Sequence, residues 1–457
     1  MPSSAAAAVG RLLTLVLLPA VLLAAAGPAR AAGAEQKWVA TWAASVQGPY
    51  PVGNPSAQPD LKFAFPSAET GAVDQTLRLI VKPDLWGSRI RLRFANTYGT
   101  KPIHLDDFHV GLQASGGNLV RGSNQAVTFG GKRELTLAPA QSTLSDPIDF
   151  KFATNAANPM LAGRKLAVSF HVVGESGPMT WHAKALTTSY LTAQKAGAHG
   201  KDENDAAFPF TTASWYFLDA IEVMAPADTM VVAAFGDSIT DGTASTLNGD
   251  DRWPDVLSRR LHAAYGNRVV VVNEGIGGNQ VLGPADYSAS KPFAGGPPAL
   301  QRMERDVFGI AGLSAVIWLE GINDFGAADA SADAVIAGYR EGVKRLRDRG
   351  IKVVMATLTS SLKSTNGNYG ADSVNDRREA ANKFIRTAGI FDGVVDFDAV
   401  TLDKTSGTLL PEFQPPSTAG GPGDLLPPHR AGYQAMGNAI DIKLLAPPMP
   451  HKIAAKP

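Results

Sequence analysis

The stretch Val231-Val232-Ala233-Ala234-Phe235-Gly236-Asp237-Ser238-Ile239-Thr240 decides the fold. Its apolar run reads as a strand buried on both faces. The strand stops at a glycine, and a helix-like segment follows. Such a turn lifts the Ser238 hydroxyl to the carboxyl edge of a parallel sheet, where open α/β proteins place their chemistry. A serine there is a nucleophile if a base and oxyanion donors converge on it.

Working outward, the apolar strands 231–235, 269–273, 315–319, 351–356 and 393–397 alternate with helical patterns. Val335, Ile336, Tyr339, Val343 and Leu346 mark one helix face, and Gly350 ends that helix. A last helix is expected over 430–445, with Tyr433, Met436, Ile440 and Leu444 inward. This alternation predicts a parallel sheet covered on both faces. Upstream, residues 38–225 read as all-β. Arg89-Ile90-Arg91-Leu92-Arg93-Phe94 alternates strictly, and 76–81, 134–137 and 165–170 behave alike. A β-sandwich-like domain over 38–225 and an α/β domain over 229–446, joined at Pro226-Ala227-Asp228, are expected.

Residues 1–31 read as a cleaved export signal: Arg11, an apolar core from Leu12 to Ala26, then Ala29-Arg30-Ala31. A secreted or periplasmic location follows, with no membrane-spanning segment after cleavage. The chain has no cysteine, which excludes disulfides and thiolate chemistry. Lys+Arg and Asp+Glu are both 42, so nothing in the charge points to nucleic acid. No His/Asp spacing suggests a metal site, and no cofactor is implied.

Three strand ends in the second half carry polar signatures: Gly236-Asp237-Ser238, then Asn273-Glu274-Gly275-Ile276-Gly277-Gly278-Asn279, then Glu320-Gly321-Ile322-Asn323-Asp324. A fourth signal, Asp424 with His429, precedes the last helix. Ester hydrolysis needs these residue types. A hydroxyl needs a base, and the oxyanion it creates needs fixed donors. The backbone N–H groups of Ser238 and Gly278 and the amide of Asn323 are the candidate donors. Asp237 is expected to brace the serine turn and Asp324 the Asn323 loop, with Asn279 in support.

These blocks resemble the SGNH (GDSL-type) hydrolase family, in its secreted two-domain form. Arg252-Trp253-Pro254, Gly432-Tyr433, Trp38-Val39-Ala40-Thr41-Trp42 and Asn96-Thr97-Tyr98-Gly99 are similar as well. The resemblance implies a flavodoxin-like three-layer α/β/α domain. It also implies a Ser–His–Asp ester hydrolase with Ser238, Gly278 and Asn323 as oxyanion donors. The family's last block usually reads Asp-x-x-His-Pro-Asn. Here Asp424-Leu425-Leu426-Pro427-Pro428-His429 puts Pro427 at the histidine position. Either the Pro-Pro loop reroutes so that His429 regains the base position, oriented by Asp424, or this copy is catalytically impaired. The first is the working expectation.

The expected reaction is hydrolysis of short acyl esters, including acetyl on carbohydrate, through an acyl-enzyme. The substrate is a small molecule or a polysaccharide ester. Lipase or lysophospholipase activity is an alternative. So is a non-catalytic glycan-binding protein using Trp38, Trp42, Trp86, Trp181 and Trp215, although such residues more often fill a core. His182 is singled out because a β-domain loop can reach the cleft. The polar stretch 359–376 is expected to border it.

Overall fold

The structure is a computed structural model that describes residues 35–155, 157–414 and 424–448. The proposed export signal at 1–31 lies outside the described residues. The described residues from Gln36 to Pro448 fall in one compact unit. Its strand-rich and α/β parts share a single hydrophobic core that runs from Val39 to Leu445.

In the strand-rich part, a five-stranded antiparallel sheet contains Gln36–Ala43, Leu218–Pro226 and Arg89–Ala95. It faces a larger sheet built on Val73–Val81, Leu166–Glu175 and Ile103–Ser115. Phe94 of the first sheet meets Phe108 and Phe170 of the second, each with centroids 5.1 Å apart. The strict alternation of 89–94 appears as expected: Ile90, Leu92 and Phe94 are buried, while Arg91 and Arg93 reach Glu222 and Asp219 on the other face. Strand 73–81 differs. It alternates in sequence yet is covered on both faces, because Arg78 is buried under the 196–208 loop. Its guanidinium donates to Gly117 O at 2.7 Å and Asn204 O at 3.0 Å and stacks over Phe208.

The α/β part is a five-stranded parallel sheet in the order second–first–third–fourth–fifth, formed by Val269–Gly275, Met230–Gly236, Leu313–Leu319, Lys352–Ala356 and Gly393–Val395. This is the flavodoxin-like order. The helices are α1 (Ser238–Asp241), α2 (Trp253–Tyr265), α3 (Ala299–Asp306), α4 (Ile322–Gly326), α5 (Ala332–Arg347), α6 (Asp372–Thr387), α7 (Phe397–Thr401) and α8 (Arg430–Ala439). Val335, Tyr339, Val343 and Leu346 are the buried stripe of α5.

Two of the boundaries that differ from expectation have a local cause. The fifth strand stops at Val395 because the Asp396 carboxylate accepts Ala399 N–H and starts α7. The last helix stops at Ala439: Ile440 is extended, Asp441 caps a short 3-10 turn, and Leu445 rather than Leu444 is buried.

Candidate active site

The sheet register aligns the three polar loops. Gly236 pairs with Gly275 on one side and with Leu319 on the other. Ser238, Gly278 and Asn323 therefore follow neighbouring strand ends by two, three and four residues. The first turn is tight enough to require glycine: a Cβ on Gly236 would lie 2.2 Å from Leu319 O.

Asp237 is the N-cap of α1, its Oδ1 accepting Ile239 N–H at 2.9 Å. It is fully buried with Oδ2 unpartnered, and that burial pushes its carboxyl up to about 7. The half-buried Ser238 has no hydrogen-bond partner for its hydroxyl or its N–H among the described residues.

The second loop is held from two sides. Gly277 N–H donates to Asp241 Oδ2 at 2.9 Å, and Gly277 O accepts Asn54 Nδ2 at 2.7 Å. Gly278 takes φ +85°, a left-handed conformation that favours glycine, and its N–H has no described partner. Asn279 is fully buried. Its amide donates to Gly295 O and Pro297 O, and its Oδ1 accepts Arg302 Nε at 2.6 Å.

In the third loop Asn323 donates from Nδ2 to Asn279 O at 2.8 Å and accepts Tyr369 Oη–H on Oδ1 at 2.7 Å. Those bonds fix the amide orientation and leave one N–H of Nδ2 uncommitted. The Asp324 carboxylate accepts Val281 and Leu282 N–H at 2.8 and 3.0 Å, locking the third loop to the second; burial lifts it to about 6.

The fourth signal is engaged elsewhere in this structure. No hydrogen bond joins Ser238 to His429, or His429 to Asp424, among the described residues. His429 is the N-cap of α8, and its Nδ1 accepts Ala431 N–H at 2.9 Å. Asp424 instead accepts Leu426 N–H at 3.1 Å and Asn366 Nδ2 at 3.3 Å. The physical reason is local. Pro427 and Pro428 carry no side-chain acceptor, so the orphan donor at the start of α8 falls to the His429 ring. An Nδ1 that accepts is unprotonated, so a neutral ring carries its proton on Nε2.

His182 also reaches this region, but at Asp241 rather than Ser238. Its Nδ1 bonds Ser45 O at 2.7 Å, and its Nε2 lies 3.3 Å from Asp241 Oδ1. Trp42, Trp86, Trp181 and Trp215 are buried in the core, while Trp38 lies under the Arg91 guanidinium. Asp396 and Asp398 pair with Arg386, and Asp398 also with Arg378.

Sequence reasoning missed Tyr369, Asn54 and Lys184, among others. Tyr369 sits in the polar stretch expected to border the cleft. Asn54 and Lys184 come from the strand-rich part. Lys184 is fully buried and donates to Thr243 Oγ1, and its Nζ would lie 2.8 Å from a Cβ on Gly277. Burial holds its ammonium below the usual lysine range, against the opposing fields of Asp241 and Asp237.

The profile of the GDSL-like lipase/acylhydrolase family matches residues 234–435, which span all four polar loops. This segment is a GDSL-like lipase/acylhydrolase domain. Solved structures similar to the chain include the acetyl xylan esterase AlAXEase, at 19% identity and TM-score 0.32, covering 46% of this chain and 96% of that one. A carbohydrate acetylesterase family member from Sinorhizobium meliloti is 18% identical with TM-score 0.37, covering 48% and 99%. The aryl esterase of M. smegmatis is 15% identical with TM-score 0.34, covering 46% and 95%. No curated protein matches the chain. In this GDSL-like domain the parallel sheet presents its serine, glycine and asparagine loops on one rim, and no described helix is long and apolar enough to cross a membrane.

Proposed function

We propose that the protein is an exported serine carboxylic-ester hydrolase acting on short acyl esters, including acetyl groups on carbohydrate. One observation carries this reading: an unpartnered Ser238 hydroxyl accompanies three N–H groups, on Ser238, Gly278 and Asn323, that no described acceptor uses. Hydrogen-bond donors left open at adjacent strand ends suit a developing oxyanion. Ser238 Oγ attacks the acyl carbon, its proton passes to a base, and the carbonyl oxygen becomes the anion held by those donors. Collapse expels the alcohol, which takes the proton back. Water repeats the sequence on the acyl-enzyme.

We assign the base to His429 with its cap bond opened. Nδ1 is then free, and Asp424, on the same loop, orients the ring. Opening a cap of this kind costs about 1 kcal/mol, which lowers the population of the competent ring several-fold. The setting supports small acyl groups over long chains. The side chains placed against the donor loops, Asn54, Lys184 and Tyr369, are polar. The large hydrophobic residues exposed among the described residues, Phe63, Met160, Val173 and Val394, lie outside these loops. The burial of four of the five candidate tryptophans gives the glycan-binding alternative no support.

The test is hydrolysis of p-nitrophenyl acetate and acetylated xylan by wild type and Ser238→Ala. Wild type should turn over, the variant should not, and intact-mass analysis should find an acyl or phosphonate adduct on wild type alone. Equal rates for the two proteins would refute the reading. Sequencing the N-terminus of exported protein tests cleavage after Ala31.

A further inference from the structure

The strand-rich part does more than pack against the catalytic sheet. Asn54, in the loop after the short strand Gly48–Pro49, lies far from the candidate site in sequence, yet its Nδ2 donates to Gly277 O at 2.7 Å. That carbonyl belongs to the same peptide unit as the Gly278 N–H. A donor on the oxygen of a peptide polarises its N–H, because hydrogen bonds in a chain strengthen one another. The opposite end of the turn is fixed as well, with Gly277 N–H on Asp241 Oδ2. The approach is close: a Cβ on Gly278 would stand 2.6 Å from Asn54 Nδ2. Lys184 closes the same turn from the buried side.

We infer that Asn54 is a positioning residue of the ester hydrolase, aiming and polarising the Gly278 N–H so that the strand-rich part completes the oxyanion site. This rests on the Ser238 reading above. It predicts that the loss appears where negative charge develops on the carbonyl oxygen, and not in substrate affinity.

The experiment uses the full mature chain with p-nitrophenyl acetate, and phenylboronic acid as a probe whose tetrahedral adduct on Ser238 places an anionic oxygen at the same donors. Loss of a whole oxyanion donor costs ~10²–10³ in rate, so weakening one by Asn54→Ala should lower kcat about tenfold. Boronate affinity should fall in step, with KM within about twofold and the thermal midpoint little changed. Asn54→Asp, close in shape but lacking the donor, should do the same, and it carries the test if the alanine variant does not fold. Unchanged kcat, or a lower kcat with unchanged boronate affinity, overturns the inference. Failure of the parent reading looks different: wild type would then match Ser238→Ala in turnover, and both ideas fall together.

Discussion

Tyr369 donates its hydroxyl hydrogen to Oδ1 of Asn323 at 2.7 Å, and this bond anchors the oxygen end of the amide. The second constraint on Asn323, its bond to Asn279 O, acts from the nitrogen side. Tyr369→Phe keeps the ring and removes the bond. The amide then keeps only its nitrogen-side anchor, so kcat on p-nitrophenyl acetate should fall several-fold with little change in KM. Losing one hydrogen bond to a buried acceptor should cost about 1 kcal/mol in urea unfolding.

Asp237 should make stability depend on pH. Its carboxyl is raised from 3.8 to about 7 in the folded protein, so the folded state binds the proton more tightly than the unfolded chain. Stability therefore falls as pH rises from about 4 to about 7 and is flat above that. Asp324, raised to about 6, and Glu320, raised to about 8, add slope of the same sign. Asp237→Asn retains the Oδ1 cap acceptor and removes the carboxylate. The variant should gain on wild type by an amount on the order of a few kcal/mol between pH 4 and 8, read from urea midpoints. A gain that does not grow with pH would rule out this linkage.

His429 has two separable roles. As the cap of α8 its loss in His429→Ala should cost about 1 kcal/mol of stability. As the proposed base its loss should reduce kcat by at least ~10². Turnover that survives the substitution would leave His429 a cap alone. The double change Pro427→His, His429→Asn frees the base from capping and supplies a side chain that caps well. It should raise kcat above wild type.

Arg302 ties the first polar loop to the second. It is fully buried and donates to Asn279 Oδ1, to Glu274 O at 2.9 Å and to Gly236 O at 2.8 Å, with its guanidinium 4.1 Å from the Phe235 ring centroid. A lysine ammonium lacks the planar fork needed to reach all of these acceptors. Arg302→Lys should destabilise by about 3 kcal/mol, because buried acceptors lose their partner. Activity should fall with it, since the carbonyl at the end of the first parallel strand and the Asn279 side chain share this one anchor.

The sequence by itself determined the parallel sheet, the loops at its carboxyl edge and the antiparallel part upstream. Apolar runs, alternation and turn residues act over a few neighbouring positions, and the strand ends at Gly236, Gly275 and Leu319 then fall into register through backbone hydrogen bonds. It also exposed the irregularity at Pro427 and His429, but not its outcome. That outcome depended on whether an orphan N–H of α8 or the distant Ser238 claimed the imidazole, and the local donor at Ala431 took it. Asn54 on Gly277, Tyr369 on Asn323 and Lys184 on Thr243 were decided only by tertiary structure. Each joins groups separated by dozens of residues or more, and no local periodicity encodes which polar group will be buried against which.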